Sequence, residues 1–136
     1  AMLDEAARIY RERFQPSETL ERPHFMAAIN VLAADSDEEA MYLASSTDQS
    51  FVALRTGNPG KLQPPVRGYR AGLPAAARAM LEQVRSVSAI GSPATVRAGI
   101  EAFVERTRAD ELIVGVATFD PQAQQRSLEL TMQALA

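Results

Sequence analysis

The sequence predicts an α/β fold, and three observations carry that prediction. Two apolar runs of strand length, at 25–33 and 111–118, lack the alternation of a half-solvated strand. Amphipathic or capped helical segments separate and flank them. The order helix, strand, helices, strand, helix is that of a βαβ unit, which demands parallel strands with helices against the sheet. The expected architecture is two parallel strands in a helix-rich surround.

The first helix is expected at 3–14, where Leu3, Ala7, Tyr10 and Phe14 recur at helical spacing until Pro16. The strand at 25–33 follows Pro23 and His24, and its near-continuous apolar character predicts cover on both faces. Ser36-Asp37-Glu38-Glu39 then has the form of a capping box, opening a helix over 37–55 with Ala40, Ala44, Thr47, Phe51 and Leu54 on one face.

The next stretch, 56–72, holds four of the seven glycines and three of the eight prolines, and reads as a long irregular loop. A shorter helix is expected at 74–85, with Pro74 in its first turn and Ala77, Leu81 and Val84 inward. Gly91-Ser92-Pro93 supplies a turn, an N-cap and a first-turn proline for a helix over 93–106, whose inner stripe is Val96, Ile100, Phe103 and Val104. After the strand at 111–118, Pro121 opens a last helix over 122–135, with Leu128, Met132 and Leu135 expected inward. Residues 1–136 thus read as a single partial domain. Ala1 in front of Met2 reads as a residue left by tag removal.

Composition narrows function. A formal charge of -3 and singly scattered Lys and Arg residues argue against nucleic-acid binding. There are no cysteines and one histidine, so thiolate and histidine-pair metal sites are not expected. No apolar run approaches a bilayer span, and the absence of thiols fits a cytoplasmic location. His24 lies at the N-terminal end of its strand, a surface position rather than that of a base. The acids Asp35, Asp37, Glu38 and Glu39 lack the alternating ligands and glycine of a calcium loop, and helix capping accounts for them better; no metal site is expected.

Two strands form only one ladder and leave two edges and an apolar face open, so the parts list is incomplete. Self-association into a homo-oligomer is one way to close it. No internal repeat supplies further strands.

Four segments, Ile9-Tyr10-Arg11-Glu12-Arg13-Phe14-Gln15-Pro16-Ser17, Ala33-Ala34-Asp35-Ser36-Asp37-Glu38-Glu39-Ala40, Gly91-Ser92-Pro93-Ala94-Thr95-Val96 and Ala109-Asp110-Glu111-Leu112-Ile113-Val114, resemble successive blocks of the luciferase-like flavin-dependent monooxygenases. The resemblance implies the C-terminal part of a TIM-like (β/α)8 barrel, with 25–33 and 111–118 as the seventh and eighth strands. It also implies FMN, or in some branches the deazaflavin F420, at the barrel mouth, with molecular oxygen and a small-molecule substrate as the paired reactants.

The family's flavin-holding residues lie mostly on strands upstream of this segment, so the resemblance names no catalytic residue, and the isolated chain is expected to be inactive and to bind no cofactor. The barrel mouth would comprise Ala33, Ala34 and Asp35 after the first strand and Thr118, Phe119 and Asp120 after the second, all of which also read as ordinary turn residues. Relatives often carry an aromatic-Asp-His sequence after the last strand, and Phe119-Asp120-Pro121 departs from it. The amides of Ser92, Ala94 and Thr95 are candidates for a phosphate, with self-capping by Ser92 as the alternative. The loop tip Gly57-Asn58-Pro59-Gly60-Lys61 corresponds to the family's mobile lid or is simply disordered. A non-catalytic α/β assembly module, self-associating through exposed strand edges, is the competing reading.

Overall fold

The computed structural model describes residues 2–136; Ala1 lies outside them. In chain order the elements are α1 (Met2–Arg13), β1 (Met26–Ala33), α2 (Asp37–Arg55), a 3-10 turn (Tyr69–Gly72), α3 (Ala75–Arg85), β2 (Ser88–Gly91), α4 (Pro93–Thr107), β3 (Glu111–Gly115) and α5 (Pro121–Leu135). The strands form one parallel sheet in the order β2-β1-β3.

The sequence reading missed β2. Its four residues pair only with the C-terminal half of β1, from Asn30 opposite Ser88 to Ala33 opposite Gly91. β3 pairs along the N-terminal half, from Met26 opposite Glu111 to Asn30 opposite Gly115. The last strand is also shorter than expected: it ends at Gly115, and Val116 to Thr118 leave the ladder.

Cover on both faces of β1 is the second expectation corrected. Ala27, Ile29, Val31 and Ala33 are buried against Val96, Ile100 and Phe103 of α4 and Leu130 of α5. Met26, Ala28 and Asn30, on the opposite face, are exposed. Only toward the C-terminal end does that second face gain cover, where Leu32 and Ile90 pack with Ala40, Leu43 and Ala44 of α2. The strand does alternate; small or apolar residues at its bare positions disguised the period.

The helix ends follow their caps. Ser36 accepts the Glu39 amide at 3.1 Å, Ser92 accepts that of Thr95, and Asp120 accepts that of Gln122 at 2.9 Å. Pro74 stands at the N-cap of α3, one residue before the helix. Arg108, at φ 50, closes α4, and the Arg11 guanidinium of α1 donates to the Thr107 and Arg108 carbonyls at 2.7 and 2.8 Å. That contact satisfies orphan carbonyls and complements the negative end of the helix.

The inward face of α5 is not the expected one. Ser127, Leu130 and Thr131 are buried, while Leu128, Met132 and Leu135 are exposed, Met132 by 67%. A hydrogen bond goes with this rotation: the Ala33 amide, at the end of β1, donates to Ser127 Oγ at 2.9 Å. This amide lies in the core, where an unpaired donor would cost about 1–3 kcal/mol. On α2 the apolar stripe ends early, leaving Leu54 exposed.

Candidate functional site at the strand C-termini

Four of the six residues expected at the mouth come together. Ala33, Ala34, Asp35 and Asp120 line one open cavity of about 300 Å3 with Glu39 and Arg126. Arg126 of α5 reaches Asp35 at 2.9 Å across its rim. Thr118 is drawn into the turn, its hydroxyl donating to the Asp120 carbonyl at 2.7 Å, and Asp120 caps α5. Phe119 is half-exposed. These side chains shape the end of β3 and close the turn into α5; they do not converge as an acid-base set.

The N-terminus of α4 receives a negative group from the chain itself. The Ser92 amide donates to Asp37 Oδ1 at 2.6 Å, and the Thr95 amide donates to Ser92 Oγ. Hydrogen bonds from Ser92 and Thr95 hold the Asp37 carboxyl below the usual carboxylate range. Of the amides suggested for an external phosphate, that of Ser92 donates to Asp37 and that of Thr95 to Ser92 Oγ. Self-capping, the plainer alternative, accounts for Ser92.

A second cavity, of about 200 Å3, opens where Asn30, Leu32, Ile90 and Gly115 face α2 and α3. Phe51, Leu81 and Val84 give it apolar walls, and Asp48 and Arg85 a charged one. Arg85 Nη2 lies 2.6 Å from Asp48 Oδ1, and Arg70 Nε lies 3.1 Å from Oδ2. The Asp48 side chain is only 4% exposed, against 13% for Arg85 and 29% for Arg70. Burial lowers the pKa of Arg85 and its pairing with Asp48 opposes the fall. Tyr69, next to Arg70, is raised by burial first and by the Asp48 charge second.

None of this group stood out in the sequence. Asp48 sits in a helix among polar neighbours, the usual setting of a solvated charge, and its partners lie 22 and 37 residues away.

The loop from 56 to 72 divides into two parts. At its tip Gly57 to Lys61 are all exposed. Its returning limb docks on α2: the Gln49 amide donates to the Pro64 carbonyl at 2.9 Å, the Val66 amide donates to Ser45 Oγ at 2.7 Å, and Arg67 stacks on Tyr42. The 3-10 turn carrying Arg70 ends this limb, so Asp48 ties loop, α2 and α3 together.

His24 is exposed, with Nε2 at 3.2 Å from Glu111 Oε2, at the opposite end of the sheet from both cavities. Among the described residues no three His, Cys, Asp or Glu side chains are placed to hold a metal ion, and no helix is long and apolar enough to cross a membrane.

Comparison with known proteins places this geometry. No family model matches the chain. It is 40% identical over 131 residues to a luciferase-like monooxygenase of Escherichia coli (strain K12), covering 96% of this chain and 39% of that protein. A Bacillus subtilis (strain 168) protein named uncharacterized protein YvbT is 37% identical over 125 residues, with 92% and 37% covered. The chain therefore spans about two fifths of the length of these relatives. Among solved structures, apo-MsnO8 superposes with a TM-score of 0.75 over 98% of this chain and 41% of its own, at 21% identity, which speaks to fold alone. A parallel sheet with helices on its outer face, matched inside a larger chain, fits one sector of a TIM-like barrel. By these matches the chain corresponds to the C-terminal portion of a luciferase-like family.

Proposed function

We propose that this chain forms one sector of a flavin-dependent monooxygenase barrel, contributing part of its mouth. One observation carries the reading beyond family membership. The sheet is packed by α4 and α5 on one face and bare along Met26, Ala28, Asn30 and Ile113 on the other, with cavities at its C-terminal end. That is the polarity of a barrel strand pair, with its outer face under helices, its inner face toward a lumen and its site at the strand C-termini.

The described residues offer a flavin one wall. Ala28 and Gly115 keep the inner face low beside Asn30. At the α4 N-terminus the Ser92 amide already serves Asp37, which supports placing the flavin phosphate elsewhere in the barrel. The remaining contacts belong to the part of the barrel that the longer relatives possess and this segment does not cover. FMN, or F420 in its place, would supply the oxygen chemistry when bound. The chain's own contribution is to wall the site, shield it from water through the 56–72 loop, and receive a small organic substrate.

FMN titration of the purified chain, followed by fluorescence with its solution mass recorded on the same sample, tests this. The expected result is no binding by a monomer, and binding only where an oligomer or a complementing barrel portion completes the wall. Tight binding by a monomer would overturn the sector reading.

A further inference from the structure

Asn30 stands in the central strand, on the bare face of the sheet. It lies opposite Ser88 of β2 and Gly115 of β3, so one register row crosses all three strands at this position. Its neighbours along the strand, Ile29 and Val31, turn to the other face and are buried, whereas Asn30 is exposed. Gly115 makes room beside it: a Cβ there would lie 3.2 Å from Asn30 Oδ1, closer than ordinary van der Waals contact. A glycine inside a strand often marks a close approach, and here the group that approaches is the carboxamide.

Asn30, Ser88 and Gly115 all line the cavity of about 200 Å3, whose apolar walls include Leu32, Phe51, Leu81 and Val84. The charged residues of that cavity are engaged: Asp48 Oδ1 accepts from Arg85, and Oδ2 accepts from Arg70. The Thr47 hydroxyl is engaged too, donating to the Ala44 carbonyl. The polar groups left to a ligand are therefore neutral, the Asn30 carboxamide with its donors and acceptor beside the Ser88 hydroxyl. Few polar groups in an apolar cleft is the pattern of a small-molecule site. An ion entering it would lose its water without gaining a free counter-charge, whereas an uncharged polar head can exchange water for Asn30. We infer that this cavity takes a small neutral organic molecule bearing a carbonyl or carboxamide group, which hydrogen-bonds to Asn30 while its apolar body packs against Phe51, Leu81 and Val84. That this ligand is the monooxygenase's organic substrate rests on the function proposed above; that it binds does not.

Benzamide, benzene and benzoate share a ring and differ only in its head group, and each is titrated into the chain by NMR. Benzamide should bind about fivefold or more tightly than benzene, and more tightly than benzoate. Asn30→Leu keeps the size of an exposed side chain and removes its hydrogen bonding. It should weaken benzamide by about fivefold or more while leaving benzene affinity undiminished and the circular dichroism spectrum unchanged. Val84→Phe, which fills the apolar end, should weaken benzamide and benzene alike. No benzamide binding up to about 10 mM, equal affinity for benzamide and benzene, tighter binding of benzoate, or full benzamide affinity in Asn30→Leu would each overturn the site. An FMN titration on the same sample separates the two readings: benzamide binding that survives a failed flavin reading leaves the neutral-ligand site standing.

Discussion

Asp37 and Ser92, 55 residues apart, are joined by a 2.6 Å hydrogen bond from the Ser92 amide to Asp37 Oδ1, which fastens the start of α2 to the start of α4. Asp110 forms a similar clasp at the other end of the sheet, where its carboxylate accepts the Phe25 amide at 2.8 Å. Hydrogen bonding lowers both pKa values from 3.8, with backbone donation the largest cause in each. For a carboxylate depressed in the folded state, the stabilisation is fully present above the unfolded value and lost as pH falls through the folded one. Asp37→Asn combined with Asp110→Asn should lower Tm at pH 7 and flatten its fall below pH 3.8. Thermal melts across that range check it, and an unchanged acid limb would remove these two groups as its source.

Gly91 ends β2 beneath the same contact. A Cβ built there would lie 2.5 Å from Asp37 Oδ1 and 2.6 Å from Thr95 Cγ2. Gly91→Ala should therefore cost about 1–3 kcal/mol by overpacking. Gly60→Ala, where nothing lies within 4 Å, is the control and should change little. Urea unfolding midpoints distinguish them.

Asp48 is the sole acidic partner of Arg85 and Arg70 among the described residues. Asp48→Asn would leave the buried Arg85 uncompensated and should destabilise by about 3–5 kcal/mol. Arg70→Met removes the more exposed partner and leaves the Asp48–Arg85 pair intact, so a loss under about 1 kcal/mol is expected. Chemical denaturation of the two variants gives the ranking; the reverse order would place the main anchor on the loop.

The bare sheet face carries Met26 and Ile113, the latter 55% exposed. We expect this face to drive self-association in water, since burying apolar area returns about 25 cal/mol per Å2. Ile113→Lys should shift the chain toward monomer in sedimentation, whereas His24→Gln, at the rim, should not. A chain already monomeric at high concentration would show that the face tolerates water.

How much of this was legible depended on the range of the interaction. Caps at Ser36 and Ser92 were, because they act on amides three residues away and leave a local signature; Asp120, read only as a mouth or turn residue, proved to cap α5. The position of β1 was legible from its composition, and so was the meeting of Ala33, Ala34, Asp35 and Asp120 in one cavity, which follows from where parallel strands end. The inner cavity was not, because Asp48, Arg70 and Arg85 are ordinary surface residues until α2, the loop and α3 converge.

Sequence by itself determined the α/β class, the helix starts and the family, since short-range hydrogen bonding and apolar spacing are written along the chain. Only the tertiary structure decided that β2 exists, that β1 is covered on one face in its N-terminal half, and that Ser127 rather than Leu128 turns inward. Two of these depend on a partner far along the chain, β2 on the C-terminal half of β1 and Ser127 on the buried Ala33 amide, and the third on the lack of one over Met26, Ala28 and Asn30. Non-local pairing and the need to satisfy a buried donor override local pattern, and neither is visible until the chain has folded back on itself.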